Sequence, residues 1–189
     1  MNALHIASPV DAETVEKLTV GTNVLISGVL YNARDAAHQR LVKALDNGEE
    51  LPFNLDGQTL YYMGPSPAKP GQVVGSAGPT TSSRMDTYTP RLIAGGIRAM
   101  IGKGSRSPEV KDAIKKYKAV YFTSIGGAGA LLAKSIKKVD IVAYEDLGPE
   151  AILRLYVENF PAIVANDIYG NDLFEQGKAE YQRGRIEEE

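Results

Sequence analysis

A chain of 189 residues without a single cysteine has to hold its fold by burying apolar surface alone. It can build no disulfide framework, zinc ribbon, thiol nucleophile or iron–sulfur cluster of its own. Two histidines, His5 and His38, leave little material for a His-rich metal site. The length suffices without staples, because a domain of this size removes about 70% of its unfolded surface from water. It fits one domain over residues 1–189. With 21 basic and 23 acidic side chains the net charge is −2, which argues against a nucleic-acid binder. No apolar run approaches the ~20 residues of a membrane span, and the N-terminus lacks a charged-then-apolar signal pattern. A cytoplasmic protein is the expectation.

Glycine is the enriched residue, at 19 positions, and its clusters mark junctions between elements. Val20–Leu30 is rich in β-formers around Gly28 and runs straight into ARDAAHQRLVKALDNG. There Ala37, Leu41, Ala44 and Leu45 recur at helical spacing, and Asp46-Asn47-Gly48 is a stop. Leu60–Met63 predicts a short strand between Gly/Pro-rich turns. Thr89-Pro90 predicts a helix start running through Met100. Residues 118–142 predict strand, loop, helix and strand. Glu145–Glu150 predicts a further helix, with Ile152, Leu155 and Val157 as its apolar side, and Phe160–Asp167 a last strand. The tail is polar from about residue 175 and is expected to be solvated or frayed. The mixture is α/β.

Three constellations can carry chemistry. Thr80, Thr81, Ser82 and Ser83 follow the Gly78-Pro79 turn and lead into Arg84. Hydroxyls beside turn N–H groups favour an anion, and an arginine fork grips a carboxylate or phosphate in bidentate fashion. If the segment were helical, Thr80 and Arg84, four apart, would aim at one ligand. The plain alternative is a helix cap with Arg84 paired to Asp86 on the surface. Lys103 lies between Gly102 and Gly104, bare positions that let a substrate approach the backbone; the P-loop pattern is absent. Arg34 and Asp35 stand where a strand hands over to a helix, with His38 one turn on. Arg34 suits an anion and Asp35 or His38 an orienting or proton-carrying part, unless Asp35 only favours the helix dipole and His38 is a surface or boundary residue.

Gly126–Ala130, GGAGA, follows a strand and precedes a helix but fails the dinucleotide fingerprint, since position 132 is Leu132. Close approach of a helix to a strand or partner surface is the better reading.

In this order, ARDAAH, GPTTSSRMD, GKG, TSIGGAGAL and FPAIVANDIYGNDLF resemble the β subunit, or C-terminal domain, of class I fumarases and the related L-tartrate dehydratases. The resemblance runs from about Val20 to about Phe174. It implies a swivelling β/β/α domain with a mixed, barrel-like β core and flanking helices. It also implies one part of an iron–sulfur hydro-lyase that adds or removes water across the double bond of a small dicarboxylate. A [4Fe-4S] cluster is expected on a partner α subunit carrying three cysteines, and none on this chain. By the matched motif Thr80 takes the position of the general base, Arg84 that of a carboxylate clamp, and Arg34 and Lys103 substrate-binding positions. Asp35, His38 and Thr81 take supporting roles, and the residues themselves leave open which of Thr80, Thr81 and Ser82 is the base. Fumarate–malate interconversion, tartrate dehydration and a non-catalytic dicarboxylate-binding or regulatory domain are the readings carried forward.

Overall fold

The computed structural model describes residues 3–124 and 127–187, with side chains described as far as residue 182. Strand β1 (Leu4–Ser8) and the short helix α1 (Ala12–Lys17) precede the long strand β2 (Asn23–Asn32), which leads into helix α2 (Asp35–Asn47). Gly48 ends α2 in the left-handed conformation, φ 68°, and its N–H reaches Ala44 and Leu45 carbonyls, as the Asp-Asn-Gly stop predicts. Next come β3 (Thr59–Tyr61) and a small hairpin of β4 (Met63–Pro65) and β5 (Ala77–Pro79). A 3-10 turn over Ser82–Met85 precedes α3 (Thr89–Ala94), β6 (Ala99–Gly102), α4 (Pro108–Tyr117) and β7 (Val120–Thr123). The chain ends with α5 (Gly129–Ser135), β8 (Ile136–Ala143), a 3-10 segment Glu145–Glu150, β9 (Ile152–Asn166) and α6 (Leu173–Glu187).

β2, β3, β6 and β7 run parallel, and β9 closes the ring by pairing antiparallel with both β7 and β2. The result is the expected mixed, barrel-like sheet, here of five strands, with β1 added beside β2 and β8 beside β9. Alternation along the strands sorts the core into two layers. Ala99, Ile101, Val120, Phe122, Tyr61 and Phe160 share one cluster with β1 and α1 residues. Leu60, Met100 and Tyr121 point the other way, against Leu41 of α2, Leu92 and Ile93 of α3 and Ile114 of α4. None of the described helices is long and apolar enough to cross a membrane.

Three predicted elements come out differently. The helix from Thr89 stops at Ala94, because Gly95-Gly96 lets the chain fold back on Leu55 and Asp56, and Met100 is a buried strand residue. Gly96 takes φ +122°, and a Cβ there would sit 3.0 Å from the Asp56 backbone. Ile152, Leu155 and Val157 lie in β9 rather than on a helix. Gly148 (φ 54°, ψ −118°) and Pro149 break the preceding turn, and the strand is buried on both faces, Ile152 in one core layer and Leu155 and Val157 in the other, so its apolar spacing resembles that of a helix. The polar tail is helical. Asp172 caps α6 by accepting from the Phe174 and Glu175 N–H groups at 2.8 and 3.2 Å, and Lys111 pairs with it at 2.9 Å.

Candidate active site

β2, β3 and β6 are parallel, so their C-terminal ends open on one side of the barrel, where α/β folds bind ligands. The chain leaving β2 carries Arg34 and Asp35, and the chain leaving β6 carries Lys103. Leaving β3, the Tyr62 carbonyl accepts the Thr80 N–H at 2.8 Å. The predicted binding residues, distant in sequence, are gathered at this one end by the strand order.

At the start of α2, Glu150 does two jobs that the sequence did not reveal. One carboxylate oxygen accepts the Ala36 N–H at 3.1 Å, and the other lies 3.4 Å from the Arg34 guanidinium. Asp35 reaches Arg84 across the site, with Nε to Oδ1 and Nη2 to Oδ2 both at 3.0 Å. Arg84 therefore pairs with Asp35 and not with Asp86. That side-on pair occupies one edge of the guanidinium and leaves Nη1 for a ligand. His38 is neither a surface nor a boundary residue: it is fully buried. Its Nδ1 donates to the Arg34 carbonyl at 2.9 Å, which makes Nε2 the bare lone pair. Burial pushes its pKa down to about 4, the Arg34 bond opposes that, Arg106 adds to it and Asp35 opposes it. A ring so placed stays neutral near pH 7 and supports Arg34 rather than carrying protons.

Thr81 is extended and the turn after it, Ser82–Met85, is 3-10, so no single α-turn aims Thr80 and Arg84. Thr80 is partly exposed and Thr81 exposed, whereas Ser82 is buried. The Ser82 hydroxyl takes the Lys103 N–H at 3.1 Å and bonds the Tyr121 hydroxyl at 2.9 Å. Fully occupied and shielded, it has no access to a substrate. Thr81 and Lys103 pair as neighbouring strand positions would. A Cβ on Gly102 would overlap the Ser82 hydroxyl, so the bare backbone at Gly102 admits Ser82 rather than substrate. Lys103 itself is exposed and makes no ion pair among the described residues.

Behind this surface lies a buried cation that the sequence reading passed over. The Arg106 side chain has no exposed surface. Its Nε donates to Asp86 Oδ1 at 2.7 Å and its Nη2 to Thr89 Oγ1 at 2.9 Å. The guanidinium carbon stands 5.3 Å from the Tyr62 ring centre and 4.8 Å from that of Tyr121. Burial works against the charge, but Tyr62, Asp86 and Tyr121 outweigh it and hold the proton more tightly than usual. The sequence offers little signal for this: Asp86 looks like a neighbour for Arg84, and Arg106 like a loop residue before the Ser107-Pro108 helix cap.

The glycine loop, 126–130, lies outside the described residues at position 126. Within them, Gly129 at the start of α5 packs on β5 so closely that a Cβ would meet Gly78 N at 3.0 Å and overlap Ser76 Oγ. Close packing of a helix on a strand is what the bare position serves. Among the described residues no group of three or more His, Cys, Asp or Glu side chains is placed to hold a metal.

The family model described as "Fumarase C-terminus" matches residues 1–177. The chain is 45% identical over 159 residues to "Fumarate hydratase class I, aerobic" of Escherichia coli (strain K12), covering 83% of this chain and 29% of that protein. It is 42% identical over 175 residues to "Fumarate hydratase 2" of Leishmania major, covering 90% of this chain and 31% of that protein. Against the "Putative L(+)-tartrate dehydratase subunit beta" of Methanocaldococcus jannaschii it is 42% identical over 168 residues, 86% of each chain. The chain thus spans less than a third of the two fumarate hydratases and most of the tartrate dehydratase subunit. It belongs to the fumarase C-terminus family.

Proposed function

We propose that this chain is the β-type unit of a cytoplasmic hydro-lyase that interconverts fumarate and malate, acting as one domain and supplying the substrate grip and the general base. The observation that carries this is the convergence of Arg34, Thr80, Arg84 and Lys103 at the C-terminal ends of three parallel strands, stitched by the Asp35–Arg84 pair and the Thr81–Lys103 pairing. Relatives named fumarate hydratase support it.

A dicarboxylate needs two cationic grips. Arg84 and Arg34 are held by Asp35 and Glu150, which keep the guanidinium groups in place until a substrate carboxylate takes the free edge. Lys103 carries the uncompensated charge that favours a dianion. Removing the proton beside a carboxylate builds negative charge on its oxygens, and cations already in position stabilise that charge where it develops. Thr80 lies next to them with its hydroxyl free of hydrogen bonds among the described residues. Threonine is a weak base by itself, so its role depends on Lys103 and Arg84 stabilising the alkoxide; Thr81 supports the turn.

The residues of this chain do not fit an iron–sulfur cluster, having no cysteine and, among the described residues, no cluster of carboxylates or histidines to replace one. We therefore place the [4Fe-4S] cluster on a separate α-type partner, which completes the site. The chain alone is expected to show no hydratase activity. Co-purified with such a partner it should hydrate fumarate, and Arg84→Ala should lower kcat/KM by about a hundred- to a thousandfold, as loss of one preorganised donor to the developing charge does. Robust turnover by the isolated chain would overturn this reading.

The match along 86% of both chains to a tartrate dehydratase β subunit favours a second reading, in which L-tartrate is dehydrated to oxaloacetate. Parallel assays on malate, fumarate and both tartrates decide between them. A purely dicarboxylate-sensing domain would bind these acids and leave them unchanged in the assembled complex.

A further inference from the structure

The turn that bears Thr80 and Arg84 and the loop that bears Lys103 come from separate parts of the chain, yet they are joined twice. At the near joint, Ser82 N–H donates to the Lys103 carbonyl at 3.0 Å and Lys103 N–H to the Ser82 hydroxyl at 3.1 Å. Tyr121 closes it by bonding the Ser82 hydroxyl and the Gly104 carbonyl, each at 2.9 Å. At the far joint, one carboxylate collects two consecutive residues: Asp86 accepts Arg106 Nε on Oδ1 and Ser107 N–H on Oδ2, both at 2.7 Å. Arg106 also reaches forward to Thr89, whose hydroxyl donates to the Met85 carbonyl at 2.9 Å.

A buried ion pair is a poor device for stability, since apolar residues of similar volume often do as well. Its advantage is direction. The planar fork admits few geometries with its carboxylate, and two tyrosine rings hold its plane. Arg106 touches no part of the exposed site, so its effect on a substrate passes through Asp86, Thr89 and the two segments they fasten. We infer that Arg106 and Asp86 are positioning residues that lock the Thr80–Arg84 turn and the Lys103 loop into one rigid wall, so that base and cationic grips keep a fixed separation. The catalytic consequence rests on the function proposed above; the mechanical coupling does not.

Asp86→Asn removes the charge and one of the two acceptors at the far joint, Thr89→Val removes the second anchor of Arg106, both at nearly constant volume, and Thr89→Ser keeps that hydroxyl. Amide hydrogen exchange on the full chain should show the Ser82 and Lys103 N–H groups speeding up together, by about tenfold or more, in the first two variants and not in the third. Amides inside β6 and β7 should stay as in the parent protein. With the cluster-bearing partner, kcat should fall about tenfold or more while KM changes less, because misplacing a base by an ångström costs rate more than grip. Faster exchange confined to Ser107, a uniform rise across the chain, or unchanged kcat in a loosened variant would overturn the inference. If Asp86→Asn does not fold, Thr89→Val against Thr89→Ser carries both readouts. Should the parent complex turn over no dicarboxylate while the two segments still loosen together, the proposed function falls and the positioning pair stands. Turnover with segments that loosen independently does the reverse.

Discussion

Two arginine–aspartate pairs lie within a few residues of each other and do opposite work. Arg84 and Asp35 meet with 48% and 30% of their side chains exposed, whereas Arg106 is fully covered and Asp86 is 11% exposed. In the first pair water competes with the partner, so the contact is weak and exchangeable, and Arg84 can give up part of it to a ligand carboxylate. In the second water is excluded, so neither charge can exchange its partner for solvent. Exposure, not the kind of residue, separates the proposed grip from the proposed fastener.

Breaking the buried pair should have the largest effect on stability. Arg106→Met leaves Asp86 without its countercharge and should cost about 3–5 kcal/mol in urea unfolding. A loss below 1 kcal/mol would make the two pairs equivalent and remove the contrast. Next comes His38, buried against the Tyr62 and Tyr88 rings with its Nδ1 on the Arg34 carbonyl. Its pKa is depressed from 6.5 to about 4 on folding, so between those values the unfolded chain binds a proton that the folded chain refuses. Stability should therefore fall as pH drops from about 6.5 to about 4, by on the order of 3 kcal/mol, and this group should add no slope above that window. His38→Asn can keep a donor for the Arg34 carbonyl and should flatten that part of the profile; an unchanged slope assigns it to other groups. Gly102→Ala should cost about 1–3 kcal/mol by overpacking Ser82 and Tyr62, and should loosen Lys103 as it does so. The smallest change belongs to the exposed pair: Arg84→Ala should shift unfolding by no more than about 1 kcal/mol, although the same variant should nearly abolish activity.

The elements legible beforehand are those with local signals. α2 carries a helical apolar stripe with a glycine stop, β2 a run of β-formers, and the strand–helix–strand after residue 118 has its glycine junction, and all three form as predicted. Misread segments lacked such autonomy. β9 pairs with three neighbours and buries both faces along residues 152–157, so no alternation of apolar and polar positions marks it as a strand. Within the site, Arg34, Thr80, Arg84 and Lys103 stood out as residue types beside turns and glycines. Glu150, Asp86 and Arg106 did not, because an ordinary acidic or basic residue becomes informative only when its burial and partner are visible.

Charge, the lack of cysteine, and the order of hydroxyls, arginines and lysine around glycine turns were set by the sequence alone, since each is a property of neighbours along the chain. That Ser82 faces inward, that His38 is sealed and neutral, that Arg84 answers to Asp35, and that Arg106 bolts two loops together were decided only in three dimensions. Burial sets the strength of every charge and hydrogen bond, and burial arises from packing between segments that the chain keeps far apart.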